Sequence, residues 1–142
     1  MKKYELTDEF VTFGEKKLYR IRAISDFSFV KAGELGGFVE SEDNLAQLDD
    51  AWVYGNARVC GDAQVCGNAE IKSMRDYIVF KNWWSSGRYF TWTRSNNMWA
   101  AGCFYGTGKQ LVDKAYKDSE VSGLEYKRIV NYINELLNEN AI

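Results

Sequence analysis

The chain has 142 residues, with 18 basic against 20 acidic side chains, a net charge of −2, and no histidine or proline. That length suits one compact domain or two small ones sharing a core. The near-balanced charge argues against a non-specific nucleic-acid coat, and no apolar run nears the roughly 20 residues that cross a bilayer.

The first 44 residues read as an N-terminal β cap. Lys17 to Ile21 alternates charged and apolar side chains after a turn at Gly14, as a half-exposed hairpin does. Gly36 and Gly37 mark a tight bend or a close backbone approach. Charge is uneven here: Ile24 to Asp50 carries the seven acids Asp26, Glu34, Glu40, Glu42, Asp43, Asp49 and Asp50 against the single base Lys31.

Residues 45–75 repeat in sixes, as AWVYGN, ARVCGD, AQVCGN and AEIKSM, behind a degenerate first unit, LAQLDD. Alanine stands first and a β-branched aliphatic third (Val53, Val59, Val65, Ile71). Period-two alternation turns both inward and sends Trp52, Arg58, Gln64 and Glu70 outward. Gly-Asn and Gly-Asp suit the corners, because both types tolerate positive φ. The pattern predicts a short parallel β-helix of about 18 residues per coil. So few units leave open ends that other segments must cover. A flat meander with Gly-Asn hairpins is the competing reading, and it needs longer strands than two or three residues.

Residues 76–142 read as an α+β module. Three strands are expected, Tyr77 to Trp84, Arg88 to Arg94 and Met98 to Phe104, joined by turns at 85–87 and 95–97. Two helices follow, each opening on a capping box, Thr107 with Gln110 and Ser122 with Glu125. Both helices are expected on one face of the sheet, leaving the other for an oligomer contact or a ligand.

Two features of this module suit an anionic aromatic ligand. Trp83, Trp84, Trp92 and Trp99 are interleaved with Arg88 and Arg94 and with the turn residues Asn96 and Asn97, in a stretch, Tyr77 to Tyr105, that holds no acid. Stacking on Trp or on an Arg plane is worth about 1–3 kcal/mol per base. Core packing of the same aromatics is the alternative. Gly106, Thr107, Gly108 and Lys109 sit between strand and helix, where backbone N–H groups attract phosphate; simple capping by Thr107 also explains them. The absence of histidine removes the usual general base, the usual Ser or Cys activator and the commonest metal ligand. Cys60, Cys66 and Cys103 show no CxxC spacing. No catalytic set, metal or cofactor is therefore expected, and the chain reads as a binding protein rather than an enzyme.

The segments LYRIRA, AGELGGFVE, NLAQ, AWVYGNARVCGDA and GCFYGT together resemble a family of uncharacterised phage and prophage proteins of Gram-positive bacteria. The resemblance implies a β cap leading into a left-handed β-helix and then a small α+β module, in a phage setting. The expected fold class is thus α+β: a β-hairpin cap and short left-handed parallel β-helix, then a three-stranded antiparallel sheet with two C-terminal helices. The expected function is that of a phage-encoded homo-oligomer that counters host defence by sequestering a small nucleotide-derived signal of the cyclic nucleotide or ADP-ribose type. Alternatives are a protein–protein inhibitor of a bacterial immune complex, of the anti-CRISPR type, using the acids of Glu34 to Asp50, and a structural assembly module. With no signal-like N-terminus, the expected location is the host bacterial cytoplasm.

Overall fold

A computed structural model describes residues 2–141. Strands β1 (Tyr4–Phe13) and β2 (Lys16–Ala23) form an antiparallel hairpin about Gly14, whose φ of +64° needs glycine. β3 (Leu35–Val39) pairs antiparallel with β2 and parallel with β5 (Arg58–Val59), so cap and repeat share one sheet of order β1-β2-β3-β5. β4 (Trp52–Val53) pairs parallel with β6 (Glu70–Ile71), Trp52 opposite Glu70 and Val53 opposite Ile71. The alanines and aliphatics that open each unit are buried throughout, Ala51, Ala57, Ala63 and Ala69 beside Val53, Val59, Val65 and Ile71.

The expected left-handed β-helix is not shown. Among the described residues there are three sheets, two of four strands and one of two. The units supply strands of only two residues, and one of them, Arg58–Val59, is recruited into the cap's own sheet. Gly36 and Gly37 make that junction possible: a Cβ on Gly37 would lie 2.5 Å from the Ala57 carbonyl oxygen, and one on Gly36 2.7 Å from the Trp52 ring. Trp52, expected to face outward, is 1% exposed, because Phe27 and Tyr4 of the cap close over it with ring centroids at 5.2 and 6.1 Å.

Buried polar side chains fasten cap to repeat. Asn44 accepts from the backbone N–H of Glu40 and Ser41 and donates to the carbonyls of Gly61 and Ala63, at 2.9–3.2 Å. The Lys3 ammonium, 4% exposed, donates to the carbonyls of Asp49 and Ala51 at 2.9 and 2.6 Å. Burial lowers its pKa against the opposing pull of the Asp49 carboxylate.

The C-terminal sheet runs β10-β9-β8-β7, from β7 (Tyr77–Lys81), β8 (Tyr89–Thr93), β9 (Met98–Ala101) and β10 (Phe104–Gly106). It has four strands where three were expected. Gly102, at φ +61°, folds the last predicted strand back on itself. The two faces of β8 have different duties. Phe90 and Trp92 pack on α1 (Gly108–Asp118) and α2 (Glu120–Ala141). Thr91 and Thr93, also buried, turn toward the repeat, where the Gln64 N–H donates to Thr91 Oγ1 at 2.9 Å. Just beyond the strand the Glu70 N–H donates to Ser95 Oγ at 2.8 Å, and Tyr77 OH donates to the Arg58 carbonyl at 3.0 Å. The face expected to be free is therefore spent in satisfying the open edge of the repeat.

Thr107 and Gln110 cap α1 reciprocally as expected. α2 begins earlier than its predicted box, because Ser119 Oγ accepts the Ser122 N–H at 3.0 Å and turns the chain directly from one helix into the next.

Candidate functional site

The sharp junction at Ser119 leaves a cavity of about 370 Å³ between the two helices, β9–β10 and the 82–88 loop. The loop is tied by Asn82, whose carbonyl accepts from the Ser85 and Gly87 N–H groups at 3.2 Å each, with Gly87 at φ +77°. The Asn82 amide, 6% exposed, donates to Ser86 Oγ and to Tyr126 OH, both at 3.3 Å. Trp84 Nε1 donates to Ser122 Oγ at 3.1 Å, and the Trp84 and Tyr126 rings meet edge to face at 5.0 Å. Ser122 and Tyr126, 9% and 8% exposed, each accept one hydrogen bond. Among the described residues neither spends its own O–H.

Arg88 and Lys114 stand at the wall of this cavity, and Asp118 lies one turn beyond Lys114 on α1. Arg88 crosses Gly102 so closely that a Cβ there would sit 3.0 Å from its Nη1, and the Lys114 ammonium lies 5.8 Å from the Phe104 ring centroid. Among the described residues neither cation reaches a carboxylate. Phe104, Leu111, Ala101 and Ala115 supply the apolar surface. Chemically this is a half-open cavity with two cations free of carboxylate partners, two buried hydroxyl donors and one acid. Such a set suits an anion that also carries hydrogen-bonding groups.

Of the residues predicted from sequence, only Arg88 lines the cavity. Trp84 braces it from behind. Trp83, 71% exposed, stands outside on the same loop with its ring edge-on to Trp84 at 5.9 Å. Trp92 and Trp99 are core, at most 1% exposed, and present no face to solvent. Asn97, at φ +51°, accepts from Trp92 Nε1 at 2.8 Å, and Asn96 accepts from Thr93 Oγ1 at 2.6 Å and donates to Asn68 at 3.0 Å. Arg94 lies over the Trp92 ring and donates through Nε to the Arg75 carbonyl at 3.3 Å. Thr107 is the cap of α1, Gly106 is buried against Gln110, and Gly108 is held against Val130, which a Cβ would approach to 2.7 Å. Lys109 pairs with Asp113 at 3.1 Å.

Asn82, Lys114 and Tyr126 were not expected at a site, and Ser122 was expected only as a helix cap. Lys114 and Asp118 look like any solvated i,i+4 pair on a helix face. No group of three His, Cys, Asp or Glu able to hold a metal ion occurs among the described residues. Cys66 is no ready nucleophile, since burial, helped by Asp49, pushes its thiol up to about 11. No helix among the described residues is long and apolar enough to cross a membrane.

No family model matches the chain. A stretch of 62 residues is 44% identical to a protein named "Uncharacterized acetyltransferase YdcK", from Escherichia coli strain K12, a match over 38% of this chain and 19% of that protein. The chain thus matches about a fifth of the relative's length. This similarity corrects the expectation that the chain is not an enzyme, because the relative is named as one. That expectation leaned on the missing histidine, which removes one general base and leaves every other acid, hydroxyl and cation in place.

Proposed function

We propose that the protein binds a small anionic metabolite of nucleotide type in the cavity at the α1–α2 junction. The single observation that carries this reading is the pair of cations without carboxylate partners, Arg88 and Lys114, at the wall of a space that also holds the unspent hydroxyls of Ser122 and Tyr126. A phosphate takes the cations, a sugar takes the hydroxyls, and the Trp83 indole, exposed on the same 82–88 loop, offers a stacking surface for a base. The sequence resemblance to phage and prophage proteins supports a setting in which holding such a ligand counters a host defence signal. Calorimetry against inorganic phosphate, mononucleotides, cyclic dinucleotides and ADP-ribose tests the reading. A folded protein that binds none of them at millimolar concentration refutes it.

A second reading is acetyl transfer, favoured by the partial similarity to a protein named as an acetyltransferase. Release of free thiol from acetyl-CoA, above the rate without protein and with an amine or hydroxyl acceptor present, would support it. A rate equal to the protein-free control would reject it.

A further inference from the structure

The turns of the repeat lie over one another in stacks, and the stacks differ in charge. Turn 54–56 lies against 72–74, and between them Asn56, Arg58, Lys72 and Met74 line a depression of about 400 Å³. Arg75 follows at once, and Arg94 is fastened to its carbonyl at 3.3 Å. Among the described residues none of Arg58, Lys72, Arg75 and Arg94 forms an ion pair, whereas in the cap Lys2, Lys3, Lys16, Arg20, Arg22 and Lys31 do and only Lys17 does not; Arg58 and Lys72 lie over the rings of Phe13 and Tyr54 at 5.9 and 6.0 Å. Turn 48–50 lies against Gly67 and Asn68. It presents Leu48, 91% exposed, beside Asp49 and the exposed Asp50, which has no ion-pair partner among the described residues.

A bulky aliphatic held almost wholly in water beside an unpaired acid, and a hollow that carries Met74 and is edged by cations without carboxylate partners elsewhere on the same repeat, are complementary in polarity and in sign. We infer that the occupant of the basic hollow is a second copy of this chain. Leu48 of one copy enters the hollow at 56–58 and 72–74 of the next, with Asp50 meeting Arg58, Lys72 and Arg75; Asp49 stays bound to Lys3 and to the Gly67 N–H of its own chain. The two patches are different surfaces, so the contact is head to tail and a pair of copies keeps one free knob and one free hollow. Association continues until a ring closes, or runs on as a filament. A polyanion such as nucleic acid suits the hollow less well, because the chain carries a net charge of −2 and would be repelled beyond these four cations. The contact lies on the repeat, so it stands whether or not the cavity of the C-terminal module binds a nucleotide.

Sedimentation velocity from 5 to about 200 µM, in low and high salt, tests the inference, with salt screening weakening the charged part of the contact. The expected result is association beyond two copies, weakened by salt. Leu48→Ser alone, or Lys72→Glu with Arg75→Glu, weakens it at least tenfold while leaving circular dichroism unchanged. These are exposed side chains, so the fold is retained. Mixing the two variants should give a complex that stops at one copy of each, since one intact knob then meets one intact hollow. A wild-type monomer throughout overturns the inference, including one whose Lys72 and Arg75 instead bind a DNA duplex. So does a wild-type dimer that goes no further, or association that Leu48→Ser leaves untouched.

Discussion

Replacing Thr91 by valine isolates the contact through which the C-terminal sheet closes the repeat. Thr91 is 1% exposed, and its hydroxyl accepts the Gln64 N–H at 2.9 Å. Valine keeps the branched shape and the β-strand preference but removes the acceptor. The Gln64 N–H, part-buried at that junction, then loses its partner without gaining free access to water. A stranded buried donor costs about 1–3 kcal/mol, and the partial exposure here places the loss at about 1–2 kcal/mol. With a urea slope of roughly 1–3 kcal/mol/M, the unfolding midpoint should fall by about 0.3–2 M. Thr91→Ser, which keeps the hydroxyl, should lose only the packing of one methyl, about 1 kcal/mol or less. Ser95→Ala removes the solvent-exposed counterpart of the same contact and should change stability by no more than about 0.5 kcal/mol. Urea unfolding followed by tryptophan fluorescence reads all three. Valine as stable as wild type, or serine as damaging as valine, would refute the claim that hydroxyl side chains satisfy the edge of the repeat.

Asn44→Ala removes a buried side chain that makes four hydrogen bonds, two within the cap and two across to the repeat. It should cost about 3 kcal/mol in denaturant unfolding, with the lost protection in hydrogen exchange centred on residues 40–45 and 61–65. Arg88→Gln and Lys114→Gln should each lower the affinity of a phosphate-bearing ligand about tenfold or more in calorimetry, with no change in thermal midpoint beyond about 2 °C, since neither cation is committed to a partner in the fold. Alkaline pH should destabilise the protein progressively, because burial raises several groups, Tyr4, Tyr54 and Tyr105 among them, above their ordinary value. Burial raises Cys66 from 9.0 to about 11 and Tyr77 from 10.0 to about 12, so the folded state holds protons that the unfolded chain has released. Their contribution is complete below pH 9 and is lost progressively above it, first through Cys66 and then through Tyr77. Lys3, whose pKa is lowered on folding, works in the opposite sense as pH approaches its unfolded value of 10.5. Thermal unfolding of Cys66→Ala against wild type should converge between pH 9 and 11, and parallel curves would contradict the assignment.

The six-residue period, the inward alanines and valines, the glycine corners and the cap on α1 were all legible in the sequence, because each is a local consequence of backbone geometry and side-chain alternation within a few residues. The two helices were legible too, from their apolar stripes, although Ser119 rather than Ser122 opens the second. Tertiary structure alone decided what each surface of those elements meets. Nothing within five residues of Trp52 says that Phe27 will cover it, and the alternation of β8 is the same whether Thr91 and Thr93 face water, a ligand or the repeat. The cavity belongs to this second class. Arg88 comes from the loop before β8, Lys114 and Asp118 from a helix face, and Ser122 and Tyr126 from the next helix, and the abrupt turn at Ser119 makes neighbours of the two helices' side chains. Local periodicity fixes which way a side chain points; long-range packing fixes what it finds there.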